Sequence, residues 1–159
     1  MNKPLMLHVI TNFAGVGGAE MMLARLIQYT EHQYEHVIIA LMKTSEVYQS
    51  TLERCQSHYA LGWNGLNTLS TVSQLRALLK KLQPATVQCW MYHANALTSL
   101  SVIGLAKKPK VVWGIHHSLA SPKDESISTK IALALSKMLS QQASAIIYCA
   151  HSSMQQHQA

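Results

Sequence analysis

The chain has 159 residues, a length that suits one domain able to bury about 68–70% of its surface without disulfides or metal. Apolar residues reach 48% and charged residues only 13%, against a usual ~25%, which excludes a disordered or highly charged tail protein. Thirteen Lys and Arg against seven Asp and Glu give a net charge of +6, and Asp124 is the single aspartate. A carboxylate-rich metal site or a calcium loop is hard to build from that set.

Short apolar runs alternate with helical patterns along the whole chain. The runs Leu5–Thr11, His36–Met42, His58–Leu61, Thr86–Met91, Val111–His116 and Ala145–Cys149 predict six strands. They are continuous where a solvated strand would alternate, so they read as strands buried on both faces of a parallel sheet. Between them, Val72, Leu75, Leu78, Leu79 and Leu82 form one helical stripe that Pro84 stops. Ile127, Ile131, Leu135, Met138 and Leu139 form a second amphipathic stripe, with Ser126 as its cap. Asn95 and Ser45 are cap candidates after the fourth and second strands. Ser118–Glu125 reads as a surface loop. Strand and helix alternation predicts an α/β fold, a doubly wound parallel sheet with helices on both faces.

Ala94–Ala106 and Lys130–Leu139 are too short and too polar for a membrane span, and Leu5–Ile10 reads as a buried strand rather than a signal peptide. Cys55, Cys89 and Cys149 are odd in number and widely spaced, which suits reduced thiols in a cytoplasmic protein.

In such sheets ligands bind beyond the carboxyl ends of the strands, at the topological switch point. The first strand runs into Asn12-Phe13-Ala14-Gly15-Val16-Gly17-Gly18-Ala19-Glu20, a glycine-rich turn opening a helix. Glycines allow close backbone approach to a phosphate, and a helix N-terminus offers unpaired N–H groups. It is not a dinucleotide fingerprint, because Glu20 stands where the third glycine would fall, nor a Walker loop, because Gly18 is followed by Ala19-Glu20. Tight strand-to-helix packing explains such a turn equally well. His93, at the end of the fourth strand, can donate a hydrogen bond to a substrate hydroxyl or take its proton, and is otherwise an ordinary loop histidine. His116 and His117 are adjacent, so in an extended strand only one of them faces the cleft. Nine histidines invite zinc, but no HxxxH or HExxH spacing occurs, and no metal site is predicted. The basic residues are scattered, without an Arg-rich helix or an aromatic platform, so no nucleic-acid partner is predicted. A cationic face still suits an anionic membrane surface or nucleotide diphosphates.

Together, His8-Val9-Ile10-Thr11 followed by Gly15-Val16-Gly17-Gly18-Ala19-Glu20 resembles the start of glycosyltransferase family 4. Val87–Asn95, Val111–Ser118 and Ala145–Ser153 are similar to the family's later strand-end motifs, in the same order. The resemblance implies a GT-B enzyme of two Rossmann-like domains that transfers a sugar from a nucleotide-sugar donor to a glycan or glycolipid acceptor, with retention, without metal or other cofactor. It implies that residues 1–159 are the N-terminal, acceptor-side domain. It places Gly17 and Gly18 near the donor diphosphate, His116 beside the transferred sugar as the catalytic residue, and His93 on the acceptor side. Asn95 and His117 count with His93 as substrate-binding residues of these strand ends, and Glu20 matches the motif as a cap or an orienting group.

The family's second domain, with its paired glutamates, has no counterpart in the sequence, and the chain reads as a truncated domain ending one turn into a helix. The expectation is therefore an enzyme half that is inactive alone, cytoplasmic, with possible peripheral contact with the inner face of an anionic membrane. The competing expectation is a non-catalytic α/β binding or regulatory module. An enzyme half should keep an apolar, histidine-bearing face open for the second domain, including Trp63 or Phe13; a module should seal it.

Overall fold

The computed structural model describes residues 2–115 and 126–148. In chain order these form β1 (Leu5–Ile10), α1 (Gly18–Thr30), β2 (Glu35–Ala40), α2 (Gln49–Glu53), β3 (Ser57–Ala60), α3 (Thr68–Leu82), β4 (Thr86–Trp90), α4 (Tyr92–Val102), β5 (Lys110–Ile115), α5 (Ile127–Leu139) and β6 (Ala145–Tyr148). The strands form one parallel sheet in the order β3-β2-β1-β4-β5-β6. The chain builds outward from β1 to β3, then returns to lay β4 on the other side of β1. The switch point therefore lies between β1 and β4, in register from Met6 opposite Thr86 to Ile10 opposite Trp90.

Side chains alternate across the sheet, so each central strand feeds two cores. Leu7, Val9, Val37, Ile39, Val87 and Trp113 pack with α3 and α4 on one face. Ile10, Ile38, Ala40 and Trp90 pack with α1 and α2 on the other. The expected burial on both faces holds for the central strands and fails at the edges. β3 alternates between half-buried and exposed residues, and β6 leaves Ala145, Ile146 and Ile147 exposed, because an edge strand lacks a neighbour on one side.

Two helix starts agree with their caps. Ser126 Oγ accepts the Thr129 N–H at the start of α5, and Ser45 Oγ accepts the Val47 N–H of the short 3-10 turn before α2. Asn95 is not a cap. Met91 occupies that position, and Asn95 lies inside the first turn of α4, fully buried, its N–H donating to Met91 O at 3.0 Å. The α5 stripe is also corrected. Ala132 and Ser136 face the core, Leu135 and Leu139 are half-buried, and Ile127, Ile131 and Met138 are exposed. Among the described residues, no helix is long and apolar enough to cross a membrane.

A polar chain runs through the α1-side core. Trp90 Nε1–H, a donor only, lies 3.4 Å from His8 Nδ1, so that nitrogen accepts. His8 Nε2 then carries the proton and donates to His36 Nδ1 at 3.0 Å. His36 Nε2–H donates in turn to Thr30 Oγ1 at 3.0 Å, and the Thr30 hydroxyl donates to Leu26 O at 2.6 Å. Every hydrogen has an acceptor only when both imidazoles are neutral, which fixes both tautomers.

Burial, and secondarily the neighbouring His36, pushes the His8 pKa down to about 3. Burial lowers His36 as well. Between pH 6.5 and about 3 the unfolded chain takes up a proton at His8 that the folded chain refuses. The resulting stability is complete above pH 6.5 and declines in acid by roughly 1.4 kcal/mol per pH unit. The urea midpoint is expected to fall between pH 7 and pH 5. A flat midpoint over that interval would mean that folded His8 takes up protons normally.

Candidate active site at the carboxyl edge

The loop after β1 is anchored before it reaches its glycines. Phe13 N–H donates to Lys43 O at 2.9 Å, and Phe13 bridges to Thr44 beyond the end of β2. The Phe13 ring stacks on Tyr48 with centroids 4.1 Å apart, and Tyr48 Oη–H donates to Gly15 O at 2.8 Å. Burial raises the Tyr48 pKa, and the Glu20 carboxylate adds to the rise, so the phenol stays a donor. Phe13 is completely buried and cannot belong to an open cleft face. Its ring instead clamps the loop.

The two glycines at the helix start differ. Gly17 caps α1 with no side-chain partner, and a β-carbon there would fall 2.5 Å from Glu20 Oε2. Gly18 has nothing within 4 Å of that position. Glu20 therefore folds back over Gly17, at the positive end of the α1 dipole. This spot also suits a phosphate, so the carboxylate and an anion compete for it.

Across the switch point, β4 passes into α4 without a loop. Met91 makes the turn at φ 78° and ψ 165°, a region almost reserved for glycine that costs about 1–3 kcal/mol. It is held by its N–H donating to Gly114 O at 3.2 Å and by its carbonyl accepting from Asn95. The turn brings His93 and Asn95 to the edge on opposite sides of α4, because two residues advance a helix by about 200°. Their expected grouping thus divides into two places.

Asn95 is fully buried, and neither its Oδ1 nor its Nδ2 has a partner. Thr11 Oγ1 and Asn12 Oδ1, just beyond the end of neighbouring β1, are buried and unpartnered too. Buried polar atoms are nearly always satisfied, so these three residues are candidates to receive a polar group, although Thr98 and Ser136 elsewhere in the chain also have unpartnered buried hydroxyls.

His93 lies on the α3–α5 side. Its Nε2 is 2.6 Å from Ser128 Oγ, and its ring lies 5.1 Å from that of Trp63. Trp63 is itself fixed by Nε1–H donating to Thr68 Oγ1 at 2.9 Å. Burial lowers the His93 pKa, and the Ser128 contact opposes this in part, which favours a neutral ring at pH 7. Trp63, His93, Ala96, Leu97, Ile131 and Leu135 line an open, largely apolar cavity of about 170 Å³. Trp63 and His93 thus share an open, largely apolar surface, whereas Phe13 does not reach it.

His116, His117 and the segment Ser118–Glu125 lie outside the described residues, as does Cys149. Among the described residues, no three His, Cys, Asp or Glu side chains converge as a metal site would require. Thr11 was hidden in the sequence by its place at the end of an apolar run, and Ser128 and Tyr48 gave no signal there.

Residues 16–159 match the family described as Glycosyltransferase Family 4. The chain belongs to glycosyltransferase family 4. Its fold is shared with Anabaena HepE, solved in complex with UDP, at a TM-score of 0.67 and 15% identity over 98% of this chain and 39% of that one. The lipopolysaccharide outer core galactosyltransferase WaaB is similar at a TM-score of 0.70 and 13% identity, over 97% of this chain and 42% of that one. Acinetobacter baumannii MurG follows at 0.60 and 14%, over 95% and 42%. This family 4 chain thus spans about two-fifths of the length of these GT-B neighbours. No curated protein matches it.

Asn95→Leu is expected to raise stability by about 1–3 kcal/mol, since it removes two unsatisfied polar atoms at nearly constant shape. A higher urea midpoint with unchanged circular dichroism would show this. A lower midpoint would mean that the amide is hydrogen-bonded in the folded chain.

Proposed function

We propose that this family 4 chain is the acceptor-side half of a retaining glycosyltransferase that uses a nucleotide-sugar donor and a glycan or glycolipid acceptor in surface polysaccharide or glycolipid assembly. The observation that carries this is the family match, which runs through the Gly17-Gly18-Ala19-Glu20 turn at the carboxyl edge. HepE was solved with UDP and with UDP-glucose, which supports a nucleotide-sugar donor here.

In transfer, the bond between the sugar's anomeric carbon and the diphosphate breaks, and the diphosphate leaves with the electron pair. A new bond forms to an acceptor oxygen, which gives up its proton to the departing diphosphate. The N–H groups at the start of α1 would face the diphosphate, and the unpaired amide of Asn95 with Thr11 and Asn12 would take sugar hydroxyls. Neutral His93 suits an acceptor hydroxyl, and the adjacent cavity suits an apolar part of the acceptor. His116, directly after β5, is the group proposed beside the transferred sugar. Much of the charge stabilisation for the leaving diphosphate would come from a second domain, so residues 1–159 alone are expected to be inactive.

In a protein that joins this chain to a donor-binding domain, His116→Ala is expected to lower kcat by 10²–10⁴-fold, the range typical of a positioned acid or base, with the fold intact. Unchanged turnover would remove His116 from the site. Glu20→Gln should strengthen UDP binding roughly severalfold, because a carboxylate no longer competes for the helix N-terminus. Titration calorimetry measures this, and weaker UDP binding by the variant would show instead that Glu20 assists the nucleotide.

A further inference from the structure

The loop between β3 and α3, Leu61-Gly62-Trp63-Asn64-Gly65-Leu66-Asn67, is held by its own asparagines. Asn64 Oδ1 accepts the Leu66 N–H at 3.0 Å and the Asn67 N–H at 3.2 Å. In return Asn67 Oδ1 accepts the Asn64 N–H at 2.9 Å, and Asn67 Nδ2 donates to Gly62 O at 3.0 Å. Thr68, which fixes the Trp63 indole, donates its hydroxyl to Gly65 O at 2.7 Å. Leu66 at the tip is 97% exposed, and Asn64 and Gly65 are exposed beside it. Water and hydroxide therefore reach the Asn64–Gly65 bond.

Of the asparagines in the chain, Asn64 alone precedes a glycine. The nitrogen of the next peptide can attack an asparagine amide, and a side chain on that next residue obstructs the approach. Gly65 has no side chain to obstruct it. Its N–H has no hydrogen-bond partner among the described residues, and neither has Asn64 Nδ2. The bond from Asn64 Oδ1 to the Leu66 N–H folds the side chain back over the intervening peptide, as an Asx turn does. Nucleophile and leaving group are thus free. The carbonyl oxygen on which negative charge develops meanwhile sits on two backbone donors, the arrangement of an oxyanion hole.

We propose that Asn64 is a self-modification site, at which the folded loop promotes deamidation through a succinimide. Gly65 N gives its proton to hydroxide and attacks Asn64 Cγ. The bond from Cγ to Nδ2 breaks, and Nδ2 takes a proton from water and leaves as ammonia. Water then opens the imide ring, at Cγ to give aspartate or at the main-chain carbonyl to give isoaspartate. The net change converts one amide and one water into one carboxylic acid and one ammonia, with no oxidant or reductant. In the isoaspartate product the main chain runs through an added methylene before Gly65. That displaces Gly65 O from Thr68, the residue that holds the Trp63 indole. The inference is independent of the transferase reading, since it needs neither donor nor acceptor.

The test ages the 159-residue protein and the synthetic peptide Cys55–Arg76 side by side in mildly alkaline buffer. Trypsin releases the same peptide from the protein, so mass spectrometry reads amide-to-acid conversion at Asn64 in both samples. An isoaspartate-specific methyltransferase reads the isoaspartate. Asn64 is expected to convert about tenfold faster in the folded protein than in the peptide, which lacks the two fixed donors. Gly65→Ala should slow conversion in the protein by roughly tenfold, because a β-carbon then blocks the attacking nitrogen. The ratio of protein to peptide involves no substitution, so it holds whether or not the alanine variant keeps the loop. Equal or slower conversion in the folded protein would overturn the proposal. So would conversion at Asn67 in preference to Asn64, or a Gly65→Ala variant that converts as fast as the parent.

Discussion

Pairing of β1 with β4, two strands far apart in sequence, is the constraint on which the other features rest. It sets Ile10 beside Trp90, and so sets the two loops that leave them beside each other at the carboxyl edge. It closes both cores over the same central strands. It also delivers the Trp90 indole to His8, completing a hydrogen-bonded chain that ends on the backbone of α1 at Leu26. The helix that begins at the glycine turn is thereby tied to the strand that ends at Trp90.

Polar satisfaction changes sharply along the sheet. In the core, His8, His36, Thr30 and Trp90 form a chain in which each hydrogen finds one acceptor. At the carboxyl edge, Asn95, Thr11 and Asn12 keep unpartnered atoms, Met91 holds an unfavourable backbone angle, and the Glu20 carboxylate leans over Gly17. A fold free to optimise stability would remove these features, and a site that must receive polar substrate groups has reason to keep them.

The strands were legible in the sequence because each is a short apolar run bounded by turn residues, and parallel strands need little else to be recognised. Ser126 was legible as a cap because capping is local chemistry. α5 was not, since it is apolar on more than one side: periodicity shows that a stripe exists but not which stripe meets the sheet. Asn95 was misread as a cap because Met91 makes its turn at a backbone angle that its side chain does not advertise. The two-sided placement of His93 and Asn95 depends on where α4 begins, a boundary that strand-end motifs leave open by several residues. The histidine relay joins residues 82 positions apart at its widest, so no local pattern could reveal it.

The order of assembly follows from the same register. β1 to β3 and β4 to β6 can each form through neighbouring segments, but the crevice between them exists only once the most distant pairing closes. Loop-closure entropy delays such contacts, so the site is among the last parts of the molecule to form and the first to go when the two halves part. Amide exchange at the inner edges of β1 and β4 would then report on integrity of the site more directly than exchange at any residue lining it.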